Sequence, residues 1–88
     1  MLQLPEPDRD SPVPVYRQVA TAIIDGIRRG DWQPGDRLPA IPDLVQAAGI
    51  ARLTAAKALR AVAGQGWAEL SPGMGYYVPA ELPDTATD

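Results

Sequence analysis

The side chains able to do chemistry are unevenly spread along this sequence. It has no cysteine and no histidine. That removes disulfide frameworks, Cys/His zinc sites, thiol nucleophiles and imidazole acid–base chemistry together. Ser71 has no neighbouring base to activate it. Asp31, Asp36 and Asp43 lack the further oxygen ligands of a cation-binding loop. With no nucleophile–base pair, metal set or phosphate loop, neither catalysis nor a cofactor is expected. What remains is hydrogen-bond donation by cations and hydroxyls. Arg52, Thr54, Lys57 and Arg60 fall in one short stretch, with Leu53 between them. Guanidinium, ammonium and hydroxyl groups of this kind suit phosphate oxygens and the edges of bases.

Such groups need a scaffold, and 88 residues allow one domain. Apolar residues make up 45% of the chain, an ordinary globular share, but Phe is absent. The core must therefore be built mainly from Ala, Val, Ile and Leu. Val15, Val19, Ile23 and Ile27 recur every four residues, with Tyr16, Ala20 and Ile24 beside them. This spacing predicts an amphipathic helix over 14–29, begun by Pro14 and stopped by Gly30. Pro34-Gly35 suits the centre of a type II turn, and Arg37-Leu38 a short extended piece before Pro39. A second helix is predicted over 41–48, with Asp43 in its first turn and Gly49 at its end. A third is predicted over 52–63, turning Ala55, Ala58, Leu59 and Val62 inward. Trp67–Leu70 and Tyr76–Val78 read as two strands joined by the Pro/Gly-rich turn 71–75. Trp32, Trp67 and Tyr77 read as packing residues rather than base-stacking ones.

Charge follows the same division. The net charge is −3, yet residues 12–79 hold seven bases against five acids, a net +2. The negative charge sits in the Pro-rich stretch 1–13, expected as a flexible arm, and in 80–88, expected as a disordered acidic tail. No apolar run is long enough for a transmembrane helix, and the first residues lack the pattern of a secretory signal. The expectation is a cytoplasmic protein with no membrane partner.

The predicted fold class is α+β, mainly α, with the domain over 14–79. Three helices carry a C-terminal β-hairpin, and the second and third are joined by a tight Gly turn. A short helix, a turn and a second helix form a helix-turn-helix, whose second helix is slim enough for a major groove. The hairpin would then serve as a wing.

Individual strings narrow this further. Pro14-Val15-Tyr16-Arg17-Gln18-Val19, the stretch Ile27 to Pro39 with its Pro34-Gly35, and the spacing of Leu44, Gly49 and Ile50 form one set. Arg52, Thr54, Ala58, Leu59, Gly66-Trp67 and the Gly73–Gly75 turn extend it. Over about 14–78 the chain resembles the winged helix-turn-helix domain of the bacterial GntR family. The resemblance implies a DNA-binding transcription regulator, with the third helix in the major groove and the wing at the adjacent minor groove. It implies duplex DNA and a second copy of the chain as partners, and here a module standing alone without an effector domain. The residues expected at DNA are Arg52, Leu53, Thr54, Lys57, Arg37, Gly73 and Met74. Each also has a plainer role: Arg37 could pair with Asp36 or Asp43, Gly73 could serve the turn, and Leu53 and Met74 could meet a protein.

Several positions depart from the family pattern. Ala40-Ile41-Pro42 stand where Ser-Glu-Arg is usual, and Ala51 where Ser or Thr caps the recognition helix. Ala56 replaces a frequent Arg, and Pro72 and Met74 replace basic wing residues. The alternative that these losses favour is a protein-interaction module on the same scaffold.

Overall fold

The computed structural model describes residues 4–83. Three helices and one hairpin follow in order: α1 (Val15–Arg29), α2 (Ile41–Ala48), α3 (Arg52–Gly64), β1 (Glu69–Ser71) and β2 (Gly75–Tyr77). The three-helix, one-hairpin fold expected from the sequence is the one observed, with helix ends within a residue of the expected ones. Helix α1 buries Val19, Ala20, Ile23, Ile24 and Ile27, the stripe its period requires. Against it α3 lays Ala55, Ala58, Leu59 and Val62. Two of those four α3 residues are alanines, so the two helix backbones can approach closely there. Leu44 and Ala48 of α2 close the core from the other side, together with Leu38, Ile50, Trp67 and Val78.

Between α2 and α3 the chain turns at Gly49, whose φ of 65° is left-handed and whose N–H donates to the Val45 carbonyl. A β-carbon there would be strained, so a glycine sets the angle between the two helices. Gly26, in the middle of α1, serves a different need. The Trp32 ring lies on it, so closely that a β-carbon would collide with the ring. Trp32 is thus folded back onto α1 by the turn that follows, where the Asp36 N–H donates to the Gln33 carbonyl at 2.8 Å.

The hairpin differs from expectation at its edges. β1 starts at Glu69 rather than Trp67. Trp67 and Ala68 are buried, and the Trp67 N–H still donates to the Val62 carbonyl, so the chain is finishing α3 there. The pairing is antiparallel, with Glu69 opposite Tyr77 and Ser71 opposite Gly75. Only Pro72, Gly73 and Met74 lie outside it, so the loop is shorter than the five residues predicted. β2 is also bonded on its other side. Arg37 bridges to Tyr77, the Leu38 N–H donates to the Tyr76 carbonyl, and the Val78 N–H to the Asp36 carbonyl. The link between α1 and α2 is therefore joined to the wing along the side of β2 away from β1, through a single bridge.

Residues 4–13, expected as a flexible arm, lie against α1. Pro7 is buried, and the Gln18 side chain bonds to the backbone of both Asp8 and Val13. At the other end Leu82 packs on the core and Pro83 sits over Gly66. Of the tail expected over 80–88, residues 84–88 lie outside the described residues. No helix among the described residues is long and apolar enough to cross a membrane.

Candidate nucleic-acid interface

Helix α3 begins at Ala51, whose side chain offers no cap to the first turn. Its first residue, Arg52, is exposed, and Leu53 is 82% exposed. Thr54 is half-buried and Lys57 exposed. The inward face of the helix is taken by Ala55, Ala58, Leu59 and Val62, so periodicity leaves Arg52, Leu53, Lys57 and Arg60 on the outside. No carboxylate among the described residues lies within ion-pair distance of Arg52, Lys57 or Arg60. Among the described residues these cations are therefore left without a carboxylate partner. Lys57 does have a neighbour: its Nζ lies 5.1 Å from the centroid of the Tyr16 ring. A cation over an aromatic face is held without losing its charge. Tyr16 thus fixes the Lys57 head from the first turn of α1.

Arg37 lies elsewhere, at the root of the wing. A β-carbon on Gly75 would sit 3.3 Å from its Nε, so the side chain runs along the start of β2. It also lines an open groove shared with Ala40, Asp43 and Gln46 along α2. Neither ion pair considered for it forms. The Asp36 carboxylate accepts the Gln33 N–H at 2.8 Å, and that of Asp43 accepts the Ala40 N–H at 3.0 Å. Both acids are occupied with backbone, and Arg37 keeps its donors for other partners.

At the wing tip Gly73 has φ 78°, which a side-chain-bearing residue rarely adopts, and Met74 beside it is 55% exposed. Of the aromatics set aside as packing residues, Trp67 is buried and carries the Arg28 guanidinium 5.0 Å above its ring. The seven expected residues thus form three groups: Arg52, Leu53, Thr54 and Lys57 on α3, Arg37 at the wing root, and Gly73 with Met74 at its tip.

These features are those of a known family. The model of the bacterial regulatory proteins of the gntR family matches residues 15–78. The chain belongs to the gntR family. Among curated relatives of this family, the histidine utilization repressor of Klebsiella aerogenes is 37% identical over 70 residues. That match covers 80% of this chain and 29% of the repressor. The mannosyl-D-glycerate transport/metabolism system repressor MngR of Escherichia coli is 41% identical over 68 residues, which are 77% of this chain and 28% of MngR. The gntR segment therefore spans under a third of the length of these two relatives. Two solved structures extend the likeness to three dimensions. YtrA from Sulfolobus acidocaldarius, a GntR-family transcription factor, aligns with a TM-score of 0.78 at 34% identity, over 91% of this chain and 68% of its own. AraR(DBD) in complex with operator ORX1 aligns with a TM-score of 0.76 at 29% identity, over 89% of this chain and 99% of its own.

Two polar contacts of this chain were outside the reach of sequence reasoning. The first is Tyr16 under Lys57, two residues 41 positions apart. The second is Arg9, whose Nη2 donates to the Gly49 carbonyl at 2.7 Å across 40 residues. A faint signal existed for Arg9, as the one base in an otherwise acidic stretch.

Proposed function

We propose that this chain is the DNA-binding module of a transcription regulator and that it engages duplex DNA as a dimer. In this reading α3 enters the major groove with Arg52 at base edges or phosphate and Thr54 at phosphate. Leu53 contacts a thymine methyl, and Lys57 a phosphate. Gly73 and Met74 bring the wing to the adjacent minor groove, and Arg37 lies near the backbone between them. The observation that carries the reading is the likeness to AraR(DBD), which was solved on its operator and corresponds to this chain over nearly its whole length. The cations on the outer face of α3, which have no carboxylate partner among the described residues, supply the matching electrostatics. Two copies on half-sites a helical turn apart would multiply the few contacts one module makes. The role is one of binding rather than catalysis, and it belongs to the bacterial cytoplasm.

A fluorescence titration of labelled duplex across salt concentration tests this. Binding should weaken linearly on a log–log plot as counterions are released. Selection from a random duplex pool should enrich an operator with two related halves. Failure to bind any duplex at low salt would overturn the proposal. The exposed apolar side chains favour one alternative, a protein-interaction module. Leu53, Leu70 and Met74 are 82%, 59% and 55% exposed. Binding that ignores salt, or a pool that never enriches, would select that alternative.

A further inference from the structure

We infer that Arg9 is an additional contact to the phosphate backbone of DNA, set beside the start of α3 by a clamp centred on Gln18. This rests on the DNA-binding reading above and adds to it a residue from outside the gntR match, which begins at residue 15.

The position comes first. The Arg9 guanidinium is bonded to the carbonyl of Gly49, the glycine of the turn between α2 and α3. Gly49 lies three residues before Arg52. Three residues of chain span at most about 11 Å, so Arg9 is fixed next to the first turn of α3. The arm thereby adds a cation to the end of the helix that already presents Arg52.

The charge is available. A guanidinium has five N–H donors in a rigid fork, and the Gly49 carbonyl uses one. Asp8 and Asp10 flank Arg9 in sequence, yet no carboxylate among the described residues is within ion-pair distance of it. The Asp8 carboxylate is turned to the Asp10 N–H instead, at 3.0 Å. A planar fork with free donors suits phosphate oxygens particularly well.

The placement is also built in. Gln18 Oε1 accepts the Asp8 N–H at 2.8 Å, while its Nε2 donates to the carbonyls of Asp8 at 2.8 Å and Val13 at 2.9 Å. Ser11 closes the loop, its N–H donating to the Asp8 carbonyl and its Oγ accepting the Val13 N–H at 3.1 Å. One amide side chain on α1 therefore holds both ends of the loop that carries Arg9. Ordering this segment is done in folding and does not have to be repeated on binding. Its value lies in what the neighbouring elements lack. The start of α2, Ala40-Ile41-Pro42, has no cation, and neither does Ala56 of α3.

The test compares the full chain with Arg9→Gln, Arg9→Lys, Gln18→Leu and the pair Arg9→Gln/Gln18→Leu. Binding to a mixed-sequence duplex long enough for two half-sites is followed by anisotropy over a range of salt. Arg29→Gln serves as the control, because Arg29 is already neutralised by Asp31 at 2.7 Å. One phosphate contact adds about 0.9 to the log–log salt slope, which at about 0.1 M salt is roughly an eightfold loss of affinity. Arg9→Gln should show both changes. Arg9→Lys should keep the slope, and Gln18→Leu should lose part of the affinity without adding to the loss of Arg9→Gln. Thermal melts read folding separately, and a lowered midpoint with an unchanged salt slope would mean a purely structural Arg9. If the wild-type chain binds and Arg9→Gln matches Arg29→Gln, the inference fails and the DNA-binding reading stands. If the wild-type chain binds no duplex, both fall.

Discussion

The two helices of the helix-turn-helix begin almost alike and are finished differently. Both start from an alanine in extended geometry, Ala40 at φ −79° and ψ 168°, Ala51 at φ −72° and ψ 156°. Each buries the fourth residue after that alanine, Leu44 in α2 and Ala55 in α3. Between these points they diverge. In α2 the third residue is Asp43, whose carboxylate takes the Ala40 N–H and faces the positive end of the helix dipole. In α3 no acid occupies the first turn, no side chain caps it, and the first residue is Arg52. A cation at a helix N-terminus is unfavourable by a few tenths of a kcal/mol to about 1 kcal/mol. Neither alanine offers its helix a side-chain cap, but the α2 start is answered in part from within the protein, by the Asp43 carboxylate. The other is left positively charged and open, at some cost in stability, as an anion-binding partner would require.

Substitutions can break or sharpen this contrast, and the largest effect should come from the point the two starts share. Leu44 is fully buried, so Leu44→Ala should cost about 2–5 kcal/mol in denaturant unfolding, because the cavity cannot close completely. Next comes the point of divergence. Arg52→Ala should lower affinity for a selected duplex by about 1–3 kcal/mol while leaving the thermal midpoint no lower than before. A fall in stability with unchanged affinity would reverse the role assigned to Arg52. Third, Ala51→Ser should supply the missing cap and raise unfolding stability by about 1 kcal/mol. No gain would show that the first turn of α3 is already satisfied. The smallest effect is expected at the finished end. Asp43→Asn should lose about 0.5 kcal/mol, most of it at low ionic strength, and should leave duplex affinity unchanged.

Much of the frame that carries this contrast is legible in sequence. The stripe from Val15 to Ile27 announces α1 because burial of one face imposes its period on the residues. Gly49 marks the α2–α3 turn because a left-handed residue is needed there. Strand limits are harder to read. Trp67 and Ala68 look like strand residues, but their burial comes from closing α3 rather than from pairing. Arg37-Leu38 read as extended, with nothing to indicate that its partner would be β2. Contacts between distant polar groups leave no periodic trace at all. Gln18 belongs to the string from Pro14 to Val19 that carries the family resemblance, but nothing in its spacing shows that it holds the loop at Asp8. Gly26 gives no local hint that the Trp32 ring, six residues on, requires its bare α-carbon. In the interface the outward placement of Arg52, Leu53 and Lys57 followed from helical phase. That Asp36 and Asp43 would leave Arg37 free could not, since it depends on which backbone N–H each carboxylate reaches.

The double-sided bonding of β2 has a mechanical consequence. A hairpin attached only through its own two strands could swing about the end of α3 like a flap. Here the Leu38 and Val78 amides stitch the hairpin to the strap that leads into α2, and Leu38 itself is anchored in the core. To tilt the wing is to pull on the start of α2. The hairpin is thus a blade fixed at two points, and the angle between blade and helices is set before anything is met at its tip.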